Sequence, residues 1–487
     1  MSGYTAERKL FMGITEINDE LITKAFETDK KLSFRRKFTR FAVRTTAAAA
    51  AAIVAVVGIG RLLAPENLLL AAAAQIPDKT VFETMDYEQR REIFDNADTA
   101  CTDLNGFYRS TMRAFLSGTE ENSIFSPVGV YNGLSIAAEI SGGNTRAQIM
   151  RLLGASDIET LRSQTRDLWL SDYRTNYKAK QITANSLWLD EDITYNADTL
   201  DILAREHYAS TFSGKMGTEQ YDRALQGWLN GQTDGLLKEY ADKVTMQPPE
   251  GFDIPVLEIA STVNFYGKWN NEFDRADTYS DIFHTPDGDV SCDFMHQKEM
   301  QGRYFWGQKF SGCVMSFKDN GAGIRFILPD EGYDTDDLLN DPEAMCFLAD
   351  KFPDIEEKMP DDDSFGSKFV YIDLSVPKFD IAENADLKEG LKELGVTDMF
   401  DMEKADFTPL TDVPLVAASK ISTASRVMID EEGCKAVSYI EIGFSAGSAA
   451  PPDDHAELKL DRPFLFTIFT QRGQPLFTGV VRYPDTH

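Results

Sequence analysis

The chain has 487 residues, of which 43% are hydrophobic, and is long enough to form a large domain with a substantial core. Its net charge of −30 argues against nucleic acid as a partner, because a phosphate-binding surface requires clustered Lys and Arg. The five cysteines form no C-x-x-C pair, so neither a zinc site nor a disulfide framework is indicated. We expect no metal and no cofactor.

The N-terminal part of the chain differs in composition from the rest. Residues 41–64 are mostly apolar, and a cluster of seven Lys and Arg residues, from Lys30 to Arg44, leads into them. This pattern predicts an uncleaved transmembrane anchor over residues 41–64, with residues 1–40 in the cytoplasm and residues 65–96 as a tether. The alternative is a signal peptide cleaved after Ala74. On the first interpretation, the protein is a single-pass protein of the cell membrane with its folded domain outside the cell.

Residues 97–487 are predicted to form one domain, because no low-complexity segment, repeat or linker interrupts them. Helix and strand patterns both occur, without a regular alternation of the two, and this mixture is typical of the α+β class. Near the C-terminus, two apolar runs flank residues 471–474. Two such runs separated by a short polar turn predict a buried β-hairpin.

The sequence predicts the start of one helix and both ends of the next. Ser126 followed by Pro127 is typical of an N-cap and a first helical residue. Thr145 and Gln148 have the spacing of a capping box for the next helix, which the pattern ends at Gly154.

Residues 443–447 read GFSAG and match the G-x-S-x-G pattern of a hydrolase nucleophile elbow. Such an elbow requires a helix directly after the serine, but two prolines follow within a few residues. Only His455 and His487 remain downstream to act as the base of a triad. We therefore predict that Ser445 is not a nucleophile and that the protein is not an enzyme, and keep a membrane-anchored serine hydrolase as the enzyme alternative.

Ten motifs occur in an order and spacing typical of one protein family. In chain order they read NSIFSPVGVYNGLSIAAEISGGNTRAQI, TANSLWL, WLNGQTDGLL, VNFYGKWNNEFD, IRFILPDEG, VPKFDI, LGVTDMF, ADFTPLTD, MIDEEG and DRPFLF with PLFTGVVRYP. Together they resemble the serpins, serine protease inhibitors, over about residues 100–484. The resemblance implies three β-sheets, eight to nine helices and a long exposed reactive loop, here residues 433–460. The anchor and the lack of a disulfide framework suggest a membrane-anchored bacterial-type member.

The resemblance implies inhibition by suicide cleavage. A target serine protease cuts the loop, forms a covalent complex, and is distorted when the loop inserts into the central sheet as a new strand. The implied partner is therefore the target protease, and we expect the inhibitor itself to be a monomer. A non-inhibitory serpin that acts as a binding or structural module is the alternative.

Insertion as a strand requires a segment without proline and with an apolar face of period two. The loop has no proline from Gly433 until Pro451, and its even-numbered residues are small at first and then larger and apolar. The predicted inward face consists of Cys434, Ala436, Ser438, Ile440, Ile442, Phe444 and Ala446. The outward face departs from the family's pattern, which commonly has smaller residues where Val437 and Tyr439 stand.

The reactive bond is predicted by the family's spacing from the loop hinge. The resemblance assigns the hinge to Glu431, Glu432 and Gly433, and the usual spacing then places the bond at Gly447–Ser448, within two or three positions. The neighbouring residues are small and include no Lys or Arg, which favours elastase-like or subtilisin-like targets over trypsin-like ones.

The resemblance also implies a region that controls opening of the sheet. In the family, an Asn and a His commonly pair there, and Ser261 and Thr423 occupy the aligned positions here, near Ser126. We expect a cluster of hydroxyl groups to replace that pair. Trp269 matches the tryptophan found where the loop enters the sheet.

Overall fold

The computed structural model describes a mixed α+β unit. The described residues are 69–77, 85–172, 174–175, 178–245, 257–318, 321–351, 355–358, 364–414, 416–418, 421–435 and 454–484. Their helices are α1 (Tyr87–Asp103), α2 (Asn105–Leu116), α3 (Pro127–Ile140), α4 (Gly143–Leu153), α5 (Ile158–Asp172), α6 (Ala197–Glu206), α7 (Glu219–Gln232), α8 (Lys238–Ala241), α9 (Thr335–Leu339), α10 (Pro342–Ala349) and α11 (Lys388–Glu393). The described residues thus form eleven α-helices rather than eight or nine, because three of these helices have only four to six residues.

Seventeen strands occur in the same ranges. They are β1 (Leu69–Ala72), β2 (Ser123–Phe125), β3 (Arg174–Thr175), β4 (Lys178–Asp190), β5 (Ala209–Gly214), β6 (Leu257–Lys268), β7 (Thr278–Thr285), β8 (Gly288–Trp306), β9 (Phe310–Ser316), β10 (Gly323–Pro329), β11 (Gly366–Pro377), β12 (Phe379–Asp386), β13 (Ser422–Asp430), β14 (Gly433–Lys435), β15 (His455–Lys459), β16 (Phe464–Phe469) and β17 (Pro475–Val481). The predicted C-terminal hairpin is confirmed: β16 and β17 pair antiparallel and every residue of both strands is buried.

The described strands form two hydrogen-bonded sheets. The eight-stranded sheet has the order β1-β5-β4-β6-β14-β13-β12, with β3 attached to β4. The nine-stranded sheet has the order β15-β11-β8-β9-β10-β16-β17-β2, with β7 attached to β8. The expectation of three sheets is corrected here. The 19-residue β8 and the 12-residue β11 pair along most of their length, so the strands on either side of this pair belong to one continuous sheet.

Helix α3 lies at the centre of the unit. All of its residues except Gly133 are buried, which accounts for its lack of a polar face. The predicted start of this helix is confirmed, since Ser126 Oγ accepts a hydrogen bond from the Gly129 N–H at 3.1 Å and Pro127 is the first helical residue. The core of the unit includes α3 and the apolar residues of both sheets.

The predicted capping box of α4 is wrong. The helix begins at Gly143, before the proposed cap, and ends as predicted at Gly154, which is left-handed with φ 69°. Thr145 Oγ1 accepts a hydrogen bond from the Asp406 N–H at 3.0 Å, and Gln148 Oε1 accepts from the Thr397 N–H at 2.9 Å. Both side chains therefore bond backbone groups that are distant in sequence instead of capping the helix.

The predicted anchor over residues 41–64 lies outside the described residues. In the part of the chain that the structure describes, no helix combines the length and apolar character needed to cross a bilayer. The segment predicted as a tether, residues 65–96, includes β1, which pairs antiparallel with β5, and the first half of α1. Pairing with β5 satisfies the backbone groups of β1 that face that strand, so this part of the segment belongs to the folded unit.

Candidate functional site

The candidate site lies where the chain turns back from β13 into the eight-stranded sheet. Its first residues form β14, which pairs antiparallel with β13 on one side and with β6 on the other. Cys434, for example, lies opposite Ile429 of β13 and opposite Gly267 of β6. Within the described residues, β6 and β13 share no direct ladder, and β14 is the strand between them. We call the space between β6 and β13 beyond Lys435 the slot.

The turn that leads into β14 is held by hydrogen bonds on both sides. Asp430 Oδ1 accepts from the N–H groups of Glu432 at 2.9 Å and Gly433 at 3.1 Å. The Trp269 N–H donates to the Glu432 carbonyl at 3.0 Å, and Trp269 Nε1 donates to the Asp430 carbonyl at 2.8 Å. Trp269 is fully buried and stacks on Phe317 with ring centroids 4.8 Å apart. The tryptophan thus fixes the point at which the chain enters the sheet.

Gly433 is the residue that allows the close approach to β6. A Cβ atom at this position would lie 2.1 Å from the Gly267 carbonyl oxygen, which no side chain can tolerate. The next residue, Cys434, is fully buried in the core beneath the sheet. Burial raises the pKa of the Cys434 thiol well above its usual range. The thiol is therefore protonated and not nucleophilic.

The two hinge carboxylates are paired with basic side chains. Glu431 is 7% exposed, and its Oε1 lies 3.2 Å from Lys378 Nζ. Burial alone would raise the pKa of Glu431, but hydrogen bonds, including the one from Lys378, outweigh it and lower the pKa. Glu432 lies at the surface, 3.0 Å from Arg275 and 3.7 Å from Lys268. Such exposed pairs contribute little stability, so the buried Glu431 pair is the stronger attachment.

Two of the three hydroxyls expected to cluster at the opening of the sheet have separate hydrogen-bond partners. Ser126 caps α3, and Ser261 Oγ donates to Asn185 Oδ1 at 2.7 Å. Ser261 and Thr423 both line one cavity of about 50 Å³ between the sheet and α3, which Gly133 of α3 also lines. Within the described residues, no hydrogen bond joins these hydroxyls to one another, although Ser261 and Thr423 share the cavity.

A series of buried hydrogen bonds that the sequence did not predict begins at Ser261. Asn185 Nδ2 donates to the His207 carbonyl at 3.1 Å, and His207 Nε2 lies 3.1 Å from Glu139 Oε2. Glu139 is held by Arg162, whose Nε and Nη2 lie 2.8 and 2.6 Å from its carboxylate oxygens. The one signal in the sequence for these hydrogen bonds was Asn185 in the strand motif TANSLWL, since a buried amide requires a partner.

The rest of the predicted loop residues lie outside the described residues, and the predictions for them stay predictions. They are Ala436, Ser438, Ile440, Ile442, Phe444, Ala446, Gly447 and Ser448. The described chain resumes at Asp454, just before β15, which pairs in parallel with β11 of the nine-stranded sheet. The loop therefore leaves the middle of one sheet and returns at an end strand of the other.

These features define a class of α+β protein in which a long loop connects an interior strand of one sheet with another sheet. Residues 104–484 match the sequence model of the family described as Serpin (serine protease inhibitor). Because this match covers most of the chain, the chain belongs to the serpin family. Serpins are generally protease inhibitors rather than enzymes.

Similar proteins agree with this assignment. Neuroserpin of Homo sapiens is 25% identical over 402 residues, which are 80% of this chain and 92% of that protein. A serine proteinase inhibitor of Cavia porcellus is 28% identical over 377 residues, which are 74% of this chain and 84% of that protein. The native-state crystal structure of the thermophilic serpin tengpin superposes with a TM-score of 0.67 at 22% identity, covering 86% of this chain and 100% of tengpin. The expected bacterial-type character is not supported by these matches.

Proposed function

We propose that the protein is an inhibitor of serine proteases that acts by cleavage of its loop and insertion of the cut loop into the eight-stranded sheet. The observation that carries the proposal is β14. All three of its residues pair with β13, and Gly433 and Cys434 also pair with β6, so the strand already lies between β6 and β13. Each further residue of the loop can extend the same two ladders through the slot. The loop must be cut first, because its far end is attached to β15 of the other sheet.

The chemistry is supplied by the protease. Its serine attacks the carbonyl carbon of the reactive bond, the peptide C–N bond breaks, and the new amine leaves with the β15 side of the chain. The other side remains bound to the serine as an acyl ester. Insertion then moves the ester and the attached protease away from the loop's starting point. Deacylation requires an intact triad and oxyanion hole, so distortion of the protease traps the ester.

The sequence of the loop supports insertion energetically. Because side chains alternate along a strand, the even-numbered residues continue the buried face that Cys434 occupies. Burying Ile440, Ile442 and Phe444 contributes on the order of 5 to 8 kcal/mol, at about 1.5 to 3 kcal/mol each. To admit the new strand, β6 and β13 must lie about two strand spacings apart, or about 9.5 Å.

We propose elastase-like or subtilisin-like proteases as targets and expect cleavage between Ala446 and Ala449, after Gly447. Small residues suit a shallow specificity pocket, and residues 436–458 contain no Lys or Arg for a trypsin-like one. Mass spectrometry of the released C-terminal peptide locates the bond, and trypsin is the control that should not react in this segment. A cut before Tyr439 would contradict the assignment, since so short an arm cannot carry a protease along the sheet.

A denaturing gel of the same reaction separates the inhibitory from the non-inhibitory alternative. A covalent complex that survives denaturation supports the proposed inhibition. Complete cleavage of the loop without a complex would identify a non-inhibitory member that serves as a binding or structural module. Turnover of an ester substrate by the protein alone would instead support the hydrolase alternative.

We further propose that residues 41–64 anchor the protein in the cell membrane with the folded unit outside. Cleavage after Ala74, the alternative, would remove β1, which pairs with β5. It would also place the new N-terminus at Gln75, whose N–H donates to the Ala204 carbonyl at 2.8 Å. We expect protease added to intact cells to digest the folded unit and spare an N-terminal fragment. Recovery of a soluble form that begins near Gln75 would overturn the anchor.

A further inference from the structure

A pocket of about 400 Å³ lies between three helical segments of the folded unit. It is lined by the junction of α1 and α2, by the C-terminal turn of α4, and by the two residues that follow α11. Its lining residues belong to none of β6, β13 and β14, so the proposed loop insertion does not use it. A volume of this size is in the range of pockets that bind small molecules.

The floor of the pocket is apolar and fixed by the core. Phe107 is 4% exposed, and its ring makes edge contacts with the rings of Tyr108 and Tyr131, at centroid distances of 5.6 and 6.0 Å. Leu153 of α4 is 2% exposed and belongs to the same core cluster. Because core packing holds these side chains in place, the apolar surface is formed before any ligand binds.

Two oppositely charged side chains border the same pocket. Arg151, in the last turn of α4, and Asp103, the last residue of α1, both line it and are exposed. In the part of the chain that the structure describes, neither side chain takes part in a hydrogen bond or an ion pair. Gln148 also lines the pocket, but its Oε1 already accepts from the N–H groups of Thr397 and Asp398 at 2.9 Å each. One guanidinium and one carboxylate are therefore available above the apolar floor.

The C-terminal end of α4 adds partial negative charge to the pocket. The carbonyls of Leu152 and Leu153 accept no backbone hydrogen bond from any described residue, as is usual for the last carbonyls of a helix. These carbonyls form the negative end of the helix dipole. An ammonium group in the pocket would be attracted both by this helix end and by Asp103.

We propose that the pocket binds a free amino acid with an apolar side chain. The carboxylate of the ligand pairs with Arg151, its ammonium group pairs with Asp103 and the end of α4, and its side chain contacts Phe107 and Leu153. Both ligand charges are required, because the two protein charges border one pocket without pairing with each other. A peptide terminus carries only one of the two charges and so satisfies half of the site. This binding is independent of loop cleavage and insertion.

The test is a titration of the full-length protein with leucine, followed by saturation-transfer NMR. We expect saturable binding with a dissociation constant of about 1 mM or lower, the range open to so small a ligand. Gly106→Leu should abolish it, because Gly106 lines the pocket and a Cβ atom there meets no atom within 4 Å. Replacing a helical glycine also favours the helix, so this variant is expected to fold.

Gly227→Leu is the matched control. It makes the same change in α7, where a Cβ atom likewise meets no atom within 4 Å, and residue 227 does not line the pocket. Its affinity for leucine should equal that of the wild type. Undiminished binding by Gly106→Leu, or a wild-type protein without saturable binding, would overturn the site.

Two analogues test the two charges separately. Leucinamide lacks the carboxylate and N-acetyl-leucine lacks the ammonium group, and each should bind at least about fivefold more weakly than leucine. Asp103→Asn should weaken leucine by a similar factor and leave N-acetyl-leucine unchanged. Arg151→Gln should weaken leucine and leave leucinamide unchanged. Equal affinities for the three compounds, or tighter binding of either analogue, would contradict a site for a free amino acid.

Discussion

Ala436→Arg is expected to convert the protein from an inhibitor into a substrate. Residue 436 follows Cys434 by two positions, so on insertion as a strand it would continue the face that is fully buried at Cys434. A guanidinium on that face would be buried without a partner, which costs several kcal/mol. The loop would still be exposed and cut, but insertion would be slower than deacylation. The number of inhibitor molecules consumed per trapped protease should rise at least about tenfold, since 1.4 kcal/mol already corresponds to a factor of ten.

Lys435→Ala is the matched control for this change. Lys435 is the neighbouring odd-numbered residue, for which the alternation of the sequence predicts the outward face, so its replacement is expected to remove a charge without altering the buried face. We expect trapping by Lys435→Ala to equal or exceed that of the wild type. Both variants are compared against one elastase-like protease on denaturing gels. An undiminished covalent complex with Ala436→Arg would exclude insertion as the trapping step in this protein.

Glu139→Gln is expected to have the second large effect, a lower free energy of unfolding. Glu139 is 3% exposed and is held by two nitrogen atoms of Arg162 and by His207. Burial alone would raise the pKa of Glu139, but the hydrogen bonds from Arg162 and His207 outweigh it and lower the pKa to about 2. A carboxyl whose pKa falls from 4.5 to about 2 on folding stabilises the folded state by about 3 kcal/mol at neutral pH.

The pH dependence of this stabilisation has a definite sign. Because the pKa of Glu139 is lowered in the folded state, its contribution is complete above pH 4.5 and is lost as the pH falls toward 2. Urea unfolding midpoints of wild type and Glu139→Gln should therefore differ most at pH 7 and converge as the pH falls toward 2. Glu159→Gln is the control: it contacts the same Arg162 but is 76% exposed, so we expect a change below about 1 kcal/mol. A difference that persists undiminished at pH 2 would contradict the assigned charge pair.

Glu139 also shows why the partners of a buried charge could not be predicted from the sequence. Arg162 is 23 residues from Glu139 and His207 is 68 residues away. Neither pairing follows a helical or strand period, so no local pattern indicates it. Only the packing of α3 against α5 and α6 brings these three side chains together.

Local signals in the sequence were reliable where the partner atoms are close along the chain. The N-cap at Ser126 bonds a backbone group three residues away, and the C-terminal hairpin pairs strands joined by a short turn. The capping box expected from Thr145 and Gln148 was wrong for the opposite reason. Its two side chains bond backbone groups more than 240 residues away, which compete successfully with the local helix end.

The sequence by itself determined the family, the α+β class and a loop that has no proline before Pro451 and whose even-numbered residues up to Ala446 suit burial, because motifs and alternation are properties of neighbouring residues. Tertiary structure decided that β1 joins the sheet, that Ser261 bonds Asn185, and that Arg426 donates a hydrogen bond to the Leu236 carbonyl. Ser261 and Asn185 are 76 residues apart, and Arg426 and Leu236 are 190 apart. Contacts of this kind depend on which strands become neighbours, and that is settled only when the whole unit buries its core.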